Sequence, residues 1–209
     1  YVADSNNYRI RKVEHGTIET VAGTGLIGYS GDGGPAVDAM IGSVYNLSVD
    51  AADNLYLNDY HSGRVRKISN GVITTVAGDG YSGTSDGDGG LATAAHMSPW
   101  ALAFSPAGDL YIADQLEPCS IRKVSGGIIT TVVGGNGCGF AGDNGPATAA
   151  KIALAEAIAF DSAGILYIYD LAKRRNVFAN EGIQRILGYS AVEVREMGDA
   201  IIPSLMHPD

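Results

Sequence analysis

One short motif, an aromatic strand that ends in aspartate, returns along the chain at an almost constant interval. Its four copies contain Tyr1 in YVAD, Tyr56 in LYLND, Tyr111 in LYIAD and Tyr167 in LYIYD. Each copy follows the previous one after 55 or 56 residues. A period of this size is typical of stacked structural units that bury apolar surface only against a neighbour. We therefore expect units that begin near residues 1, 55, 110 and 166.

The segments within each unit keep a fixed order, which predicts four antiparallel strands. An apolar strand leads into the tyrosine motif, which is followed by a basic strand, a two-residue turn and a TVAG or TVVG strand. The turns are His15-Gly16, Asn70-Gly71 and Gly126-Gly127, and such pairs supply the positive φ angles of a type I′ hairpin. The register that they predict pairs Ile10 with Val21, Val13 with Ile18, Val65 with Val76, Ile68 with Ile73, Ile121 with Val132, and Val124 with Ile129.

Tandem four-stranded units are the blades of a β-propeller, so the predicted fold class is all-β. The 29 glycines among 209 residues agree with many short strands joined by tight turns. Loops that follow the tyrosine motif and the long Gly-Asp-rich loops are both expected on one face, here called the top face. Function carried by loops should therefore lie on that face.

The repeated segments also resemble a known family. LYIAD and IRKV, together with GDGGPA, GDNGPATAA and VDAADN, resemble the NHL repeat, particularly its long-repeat bacterial members. The resemblance covers residues 1–170 and implies a propeller that is usually six-bladed, acting mostly as a binding platform, with a minority of enzymatic relatives. The chain then holds about three of six blades, and further blades are needed to close the ring.

After residue 170 the sequence changes character, and residues 171–209 have the apolar spacing and capping residues of short helices. Together with 166–170, this segment resembles the first half of a PAS domain, an α/β fold. The resemblance implies part of a sensory, signal-transducing protein, but no cofactor can be assigned. Two alternatives remain open: a helical cap on the last blade, or a truncated or chimeric join. RNVFA could also serve as the missing third strand of that blade.

Aligning the repeats isolates the entry to the first strand of each blade as a candidate ligand site. Tyr45, Trp100 and Glu156 occupy this position in successive units, where two aromatic rings and a carboxylate would converge on the mouth of a channel. Tyr60, His61, Tyr8 and Tyr81 on neighbouring loops of the top face would extend the patch. The alternative is variable packing near the propeller axis.

The aspartates that end the tyrosine motifs are expected to have a structural role. Asp4 and Asp59 are each followed five residues later by an arginine, Arg9 and Arg64, which predicts two ion pairs. The third unit has no arginine at that place, so the pair should be missing or replaced there. The Gly-Asp-rich loops are interpreted as turns, with Asp86 and Asp88 as a weak calcium alternative.

Cys119 and Cys138, the only cysteines, bracket the outer hairpin of the third unit. The predicted register brings them near enough for a disulfide, although two unrelated thiols remain an alternative. A disulfide would indicate an extracytoplasmic or secreted propeller, whereas a PAS segment would be expected in the cytoplasm.

The charge, the length of the apolar runs and the motifs argue against several classes of function. A net charge of −9 argues against nucleic-acid binding, and no apolar run is long enough for a membrane span. No catalytic or zinc-binding motif is present in the sequence. We therefore expect a non-enzymatic scaffold that binds a protein, peptide or glycan on the top face. The alternative is a propeller hydrolase or lyase with its active site in the central channel.

Overall fold

The computed structural model describes residues 1–81, 83–161, 164–170 and 175–179. They form four antiparallel sheets, one for each repeat of the sequence. The strands are β1 (Val2–Asp4), β2 (Arg9–Glu14), β3 (Thr17–Ala22), β4 (Val44–Val49), β5 (Leu55–Asp59), β6 (Arg64–Ser69), β7 (Val72–Ala77), β8 (Pro99–Phe104), β9 (Leu110–Asp114), β10 (Ser120–Ser125), β11 (Ile128–Gly134), β12 (Ala157–Phe160), β13 (Leu166–Asp170) and β14 (Arg175–Ala179). The helical elements of the described residues are single 3₁₀ turns: Ser5–Asn7, Ala36–Asp38, Tyr60–Ser62, Ala92–Ala94 and Ala147–Ala149.

Within every sheet the strands lie side by side in chain order. The first strands of neighbouring sheets also meet, since β4 packs beside β8 and β8 beside β12. Sheets that share an inner edge in this way have the arrangement of propeller blades. The all-β expectation is confirmed.

The hairpin turns have the predicted backbone conformation. In the second sheet, Asn70 and Gly71 have φ angles of 50° and 77°, and the equivalent turns of the first and third sheets are also positive at both positions. The pairs next to the turns are as predicted, for example Ile68 with Ile73. The pairs farther from the turns are wrong by one residue, because a β-bulge intervenes. Ile10 faces Ala22, Val65 faces Ala77 and Ile121 faces Val133.

Among the described residues, the apolar core forms three clusters, each filling the space between two successive sheets. Between the first and second sheets, Ile10 packs with Leu57 and Ile73, all three fully buried. Full burial of one such side chain stabilises the fold by about 1.5–3 kcal/mol. The sheets are therefore held to one another mainly by apolar side chains, as in a repeat protein whose units cannot bury their own faces.

The segment that connects the first two sheets contributes to this core. Ala36, Ala39 and Ile41 are fully buried between the sheets. Ala36 N donates to Gly71 O over 2.7 Å, so the segment reaches the β6–β7 turn at the opposite end of the sheet from Asp59. The expectation that this Gly-Asp-rich loop stays on the top face is wrong, because its small residues fill the space between the sheets.

The fourth sheet extends past residue 170. Strand β14 pairs with β13 in an antiparallel register, with Asp170 opposite Arg175. RNVFA thus forms the third strand of this sheet. The rest of the PAS-like segment, residues 180–209, lies outside the described residues. In the part of the chain that is described, no helix is long and apolar enough to cross a membrane.

Candidate functional site: an aromatic platform

Two β-bulges place aromatic side chains at the entry to neighbouring blades. In the second sheet the pairing passes from Val44–Asp59 to Leu47–Leu57, and in the third it passes from Pro99–Asp114 to Ala101–Ala113. Tyr45 and Trp100 lie within these irregularities. A bulge bends its strand and re-aims a side chain, and bulges are frequent next to functional sites.

The two aromatic residues meet across the boundary between the sheets. The Tyr45 and Trp100 rings are stacked, with centroids 4.8 Å apart and an interplanar angle of 27°. Tyr60, from the loop after β5, packs edge-on against both rings, at 5.5 Å from Tyr45 and 5.3 Å from Trp100. These three residues are called the aromatic platform below. Tyr45 remains 52% exposed, which leaves much of the platform open to solvent.

The separation of the rings limits what the platform can bind. A cation enclosed between two facing rings needs them about 7–8 Å apart, twice a van der Waals contact distance. The Tyr45 and Trp100 rings are too close for this. A ligand must therefore lie on the exposed surface of the rings, where a flat apolar face makes the best contact.

The side chain of Asn58, which is fully buried, holds the backbone on both sides of the platform. Its Oδ1 accepts hydrogen bonds from Tyr45 N at 2.9 Å and Asn46 N at 2.7 Å. Its Nδ2 donates to Pro99 O at 3.2 Å and to Trp100 O at 2.7 Å. One amide group thus ties the second sheet to the third at the two aromatic residues.

The other residues of the candidate ligand site lie around the platform. His61 follows Tyr60 and packs on Gly42, where an added Cβ would lie 2.3 Å from the His61 Cβ. Only glycine, which has no side chain, therefore fits at position 42 against His61. Gly42 N also donates to Asp59 Oδ1 over 3.0 Å. Glu156 immediately precedes β12 in the fourth sheet, which packs beside β8. The structure thus joins Tyr45, Trp100 and Tyr60 in direct contact and places Glu156 at the entry of the next sheet.

The expected ion pairs of Asp4 with Arg9 and of Asp59 with Arg64 are wrong. The two residues of each expected pair are opposite each other in the strand register, but the arginines bind backbone carbonyls instead. Arg9 donates to Asn7 O and Thr24 O. Arg64 donates to Ser62 O and Asp79 O. The aspartates face a different arginine, two positions farther along the basic strand. The observed pairs are Asp4–Arg11 at 3.5 Å, Asp59–Arg66 at 3.7 Å and Asp114–Arg122 at 3.6 Å.

In the third sheet, where the expected pair was to be missing or replaced, the Asp114–Arg122 pair replaces it. Arg66 lies two positions from Arg64 and on the same face of the strand, so its long side chain reaches Asp59 diagonally across the strand pair, while Arg64 binds backbone carbonyls instead. The sequence signal was present, because an arginine occurs at the position of Arg66 in each of the first three units.

The aspartates of the Gly-Asp-rich loops bind these same arginines, a role that the sequence analysis missed. Arg66, fully buried, donates to Asp32 Oδ1 through Nε at 3.1 Å and Nη2 at 2.6 Å. Thr75 N donates to Asp32 Oδ2 over 2.9 Å. Partial burial works against ionisation of this carboxyl, but the hydrogen bonds from Thr75 and Arg66 lower the pKa of Asp32 overall.

The third unit repeats this arrangement, which accounts for one of the calcium candidates. Arg122 Nη2 donates to Asp88 Oδ1 over 2.7 Å, and Thr131 N donates to Asp88 Oδ2 over 2.7 Å. The Asp86 carboxylate instead contacts His96 Nδ1 at 3.2 Å. Within the described ranges, no group of three or more His, Cys, Asp or Glu side chains could hold a metal ion.

Cys119 and Cys138 form a disulfide in the structure, with their Cα atoms 4.9 Å apart. The bond joins the start of β10 to the loop after β11. Cys119 O also accepts a hydrogen bond from Gly135 N at 3.1 Å, so this end of the hairpin is closed by both backbone and side-chain bonds.

Comparison with known proteins finds solved structures with a similar fold. No family model matches the chain, and neither does any curated protein. A solved protein of unknown function from Bacteroides thetaiotaomicron VPI-5482 is similar with a TM-score of 0.61 and 20% identity, over 78% of this chain and 40% of that protein. Virginiamycin B lyase from Staphylococcus aureus is similar with a TM-score of 0.50 and 13% identity, over 85% of this chain and 49% of the lyase.

These likenesses define the class of fold, which is that of β-propeller-like proteins. The chain spans less than half the length of either of these two proteins. One of the two is an enzyme, so the expectation that this protein has no enzymatic activity is corrected: its fold is one on which catalysis occurs.

Proposed function

We propose that this chain is part of an NHL-type propeller that binds a glycan on the aromatic platform of Tyr45, Tyr60 and Trp100. The single observation that carries the proposal is the contact of three rings from two sheets at the blade entry. Tyr45 is 52% exposed within this cluster. An exposed apolar surface with polar edges is the usual form of a ligand site.

The chemistry of the platform favours a neutral saccharide. A pyranose ring offers a flat C–H face that packs on aromatic rings and hydroxyl groups that meet polar edges. Tyr45 and Tyr60 carry hydroxyl groups, and Trp100 carries an indole N–H, so the platform combines both kinds of contact. The net charge of −9 disfavours anionic ligands such as nucleic acid or phosphate-bearing molecules.

A fluorescence titration tests this proposal, because Trp100 is the only tryptophan of the chain. We expect neutral oligosaccharides from a defined panel to change the Trp100 emission in a saturable manner. A panel of unrelated peptides serves as the comparison. Saturable change with peptides alone would replace the glycan by a peptide ligand, and no response to any oligosaccharide would overturn the proposal. Chromatography of the bound saccharide after incubation shows whether it is also converted.

A further inference from the structure

Among the first three sheets, the second alone has an amide side chain at the platform position. Asn58 lies opposite Val65 in the β5–β6 register, and the equivalent positions in the first and third sheets are Ala3, opposite Ile10, and Ala113, opposite Ile121. The third sheet forms its own bulge at Trp100 with alanine at this position. The scaffold therefore does not need an amide there to build a blade.

A second asparagine adds another tie between the same two strands. Asn46 Oδ1 accepts a hydrogen bond from Leu102 N over 3.0 Å, linking β4 to β8. The residue at the corresponding place in the third sheet, Ala101, has no such group. Asn46 and Asn58 thus connect strands of different sheets next to Tyr45.

These hydrogen bonds act on the backbone of the residues that carry the rings. Asn58 Oδ1 accepts from Tyr45 N, and Asn58 Nδ2 donates to Trp100 O. A buried amide that satisfies four backbone groups has one orientation only, so it fixes the distance between the two backbones. The ring stacking at 4.8 Å depends on that distance.

We propose that Asn58, assisted by Asn46, is a positioning residue that sets the separation of the Tyr45 and Trp100 rings and thereby the ligand selectivity of the platform. The selectivity rests on the proposed function, whereas the ring separation does not. Asn58 itself is buried and does not touch the ligand. Its effect passes through the two backbones that it joins.

The test compares Asn58→Ala with a matched control, Asn54→Ala, in the same sheet. Asn54 Nδ2 donates to Asp50 Oδ1 over 3.1 Å and to Asp50 Oδ2 over 2.8 Å in the β4–β5 turn, so Asn54→Ala removes side-chain hydrogen bonds away from the platform. We expect Asn58→Ala to fold, since alanine occupies this position in two other sheets, and to change the Trp100 emission and near-ultraviolet circular dichroism of the free protein. Asn54→Ala should leave both spectra unchanged.

Binding provides the second readout. We expect Asn58→Ala to weaken affinity for the responding oligosaccharide at least fivefold and to reduce discrimination within the panel. Asn58→Asp keeps the acceptor for Tyr45 N but sets a buried carboxylate oxygen against Pro99 O and Trp100 O, so it should not restore the parent spectra. If Asn58→Ala does not fold, the same measurements are made on Asn46→Ala, which removes one bond.

The outcomes separate the two proposals. Unchanged free-protein spectra for Asn58→Ala, or changes equal to those of Asn54→Ala, would overturn the positioning role. If the parent protein binds no saccharide, the glycan proposal fails, while the free-protein spectra still decide whether Asn58 sets the ring geometry.

Discussion

Arg66 donates two hydrogen bonds to Oδ1 of Asp32, although the arginine belongs to the second sheet and the aspartate to the segment that connects it with the first. Arg122 and Asp88 repeat the relationship one unit later. In both cases the other carboxylate oxygen accepts a backbone N–H of the outermost strand. Asp32 and Asp88 therefore fasten the first two connecting segments to the blades that follow them.

Replacement of Asp32 should destabilise the fold. We expect Asp32→Ala to lower the free energy of unfolding by about 1–3 kcal/mol, because it leaves the buried Arg66 without its nearest carboxylate. Urea denaturation measures the change. Asp38→Ala, an exposed aspartate in the same segment, is the control and should cost less than about 0.5 kcal/mol. Equal effects of the two variants would contradict the role of Asp32.

The same aspartate should make stability depend on pH. The hydrogen bonds from Thr75 and Arg66 outweigh partial burial and lower the pKa of Asp32 below its ordinary value of 3.8. Its contribution to stability is then fully present above that value and is lost as the pH falls through the lowered pKa of the folded state. Denaturation in urea over this acidic range should show a smaller pH slope for Asp32→Asn than for the parent. An unchanged slope would rule out this linkage.

Gly78 should tolerate no side chain. It has a φ angle of +88°, and an added Cβ would lie 2.1 Å from Gly63 O. Gly71 has a similar φ angle of +77° but open space around the Cβ position. Gly71→Ala therefore measures the cost of the backbone conformation without a steric clash. We expect Gly71→Ala to cost about 1–2 kcal/mol and Gly78→Ala to cost clearly more. Thermal unfolding of the two variants makes the comparison, and equal losses would refute the steric explanation.

Removal of the disulfide should weaken the third blade. The bond between Cys119 and Cys138 closes a loop with a sequence separation of 19 residues, for which the expected stabilisation is about 3 kcal/mol. The Cys119→Ser, Cys138→Ser double variant should therefore unfold at lower urea concentration than the oxidised parent. Reduction of the parent should have a similar effect. A parent protein that is equally stable with and without reductant would contradict this expectation.

Much of the scaffold could be predicted from the repeat. The turn pairs such as Asn70-Gly71 specify positive φ angles locally, and they correctly predicted the adjoining register. The predicted pair of Val65 with Val76 was wrong, because a β-bulge adds a residue to the strand and the apolar sequence gives no sign of it. The Asp59–Arg64 pair failed for a different reason: Arg64 binds backbone carbonyls, and Arg66 reaches Asp59 instead.

The candidate site was predicted less completely. Repeat alignment selected Tyr45 and Trp100, and Tyr60 was included from the neighbouring loop, but the contacts among them depend on how two sheets pack. Asn58 was missed because a buried asparagine in a strand has no distinctive pattern. Its difference from Ala3 and Ala113 at the equivalent positions was the signal that could have identified it.

The most direct test of the glycan-binding claim is the titration of the parent, Tyr45→Ala and Tyr81→Ala with the same neutral oligosaccharide, followed by Trp100 emission. Loss of one stacked ring should weaken binding by about twofold to tenfold, corresponding to about 0.5–1.5 kcal/mol. Tyr81 is 54% exposed and packs on His96 rather than on the platform, so its replacement should leave the affinity unchanged. Saturable binding that is weakened only by Tyr45→Ala is the predicted result. Equal affinity for all three proteins, or no saturable response from the parent, would contradict it.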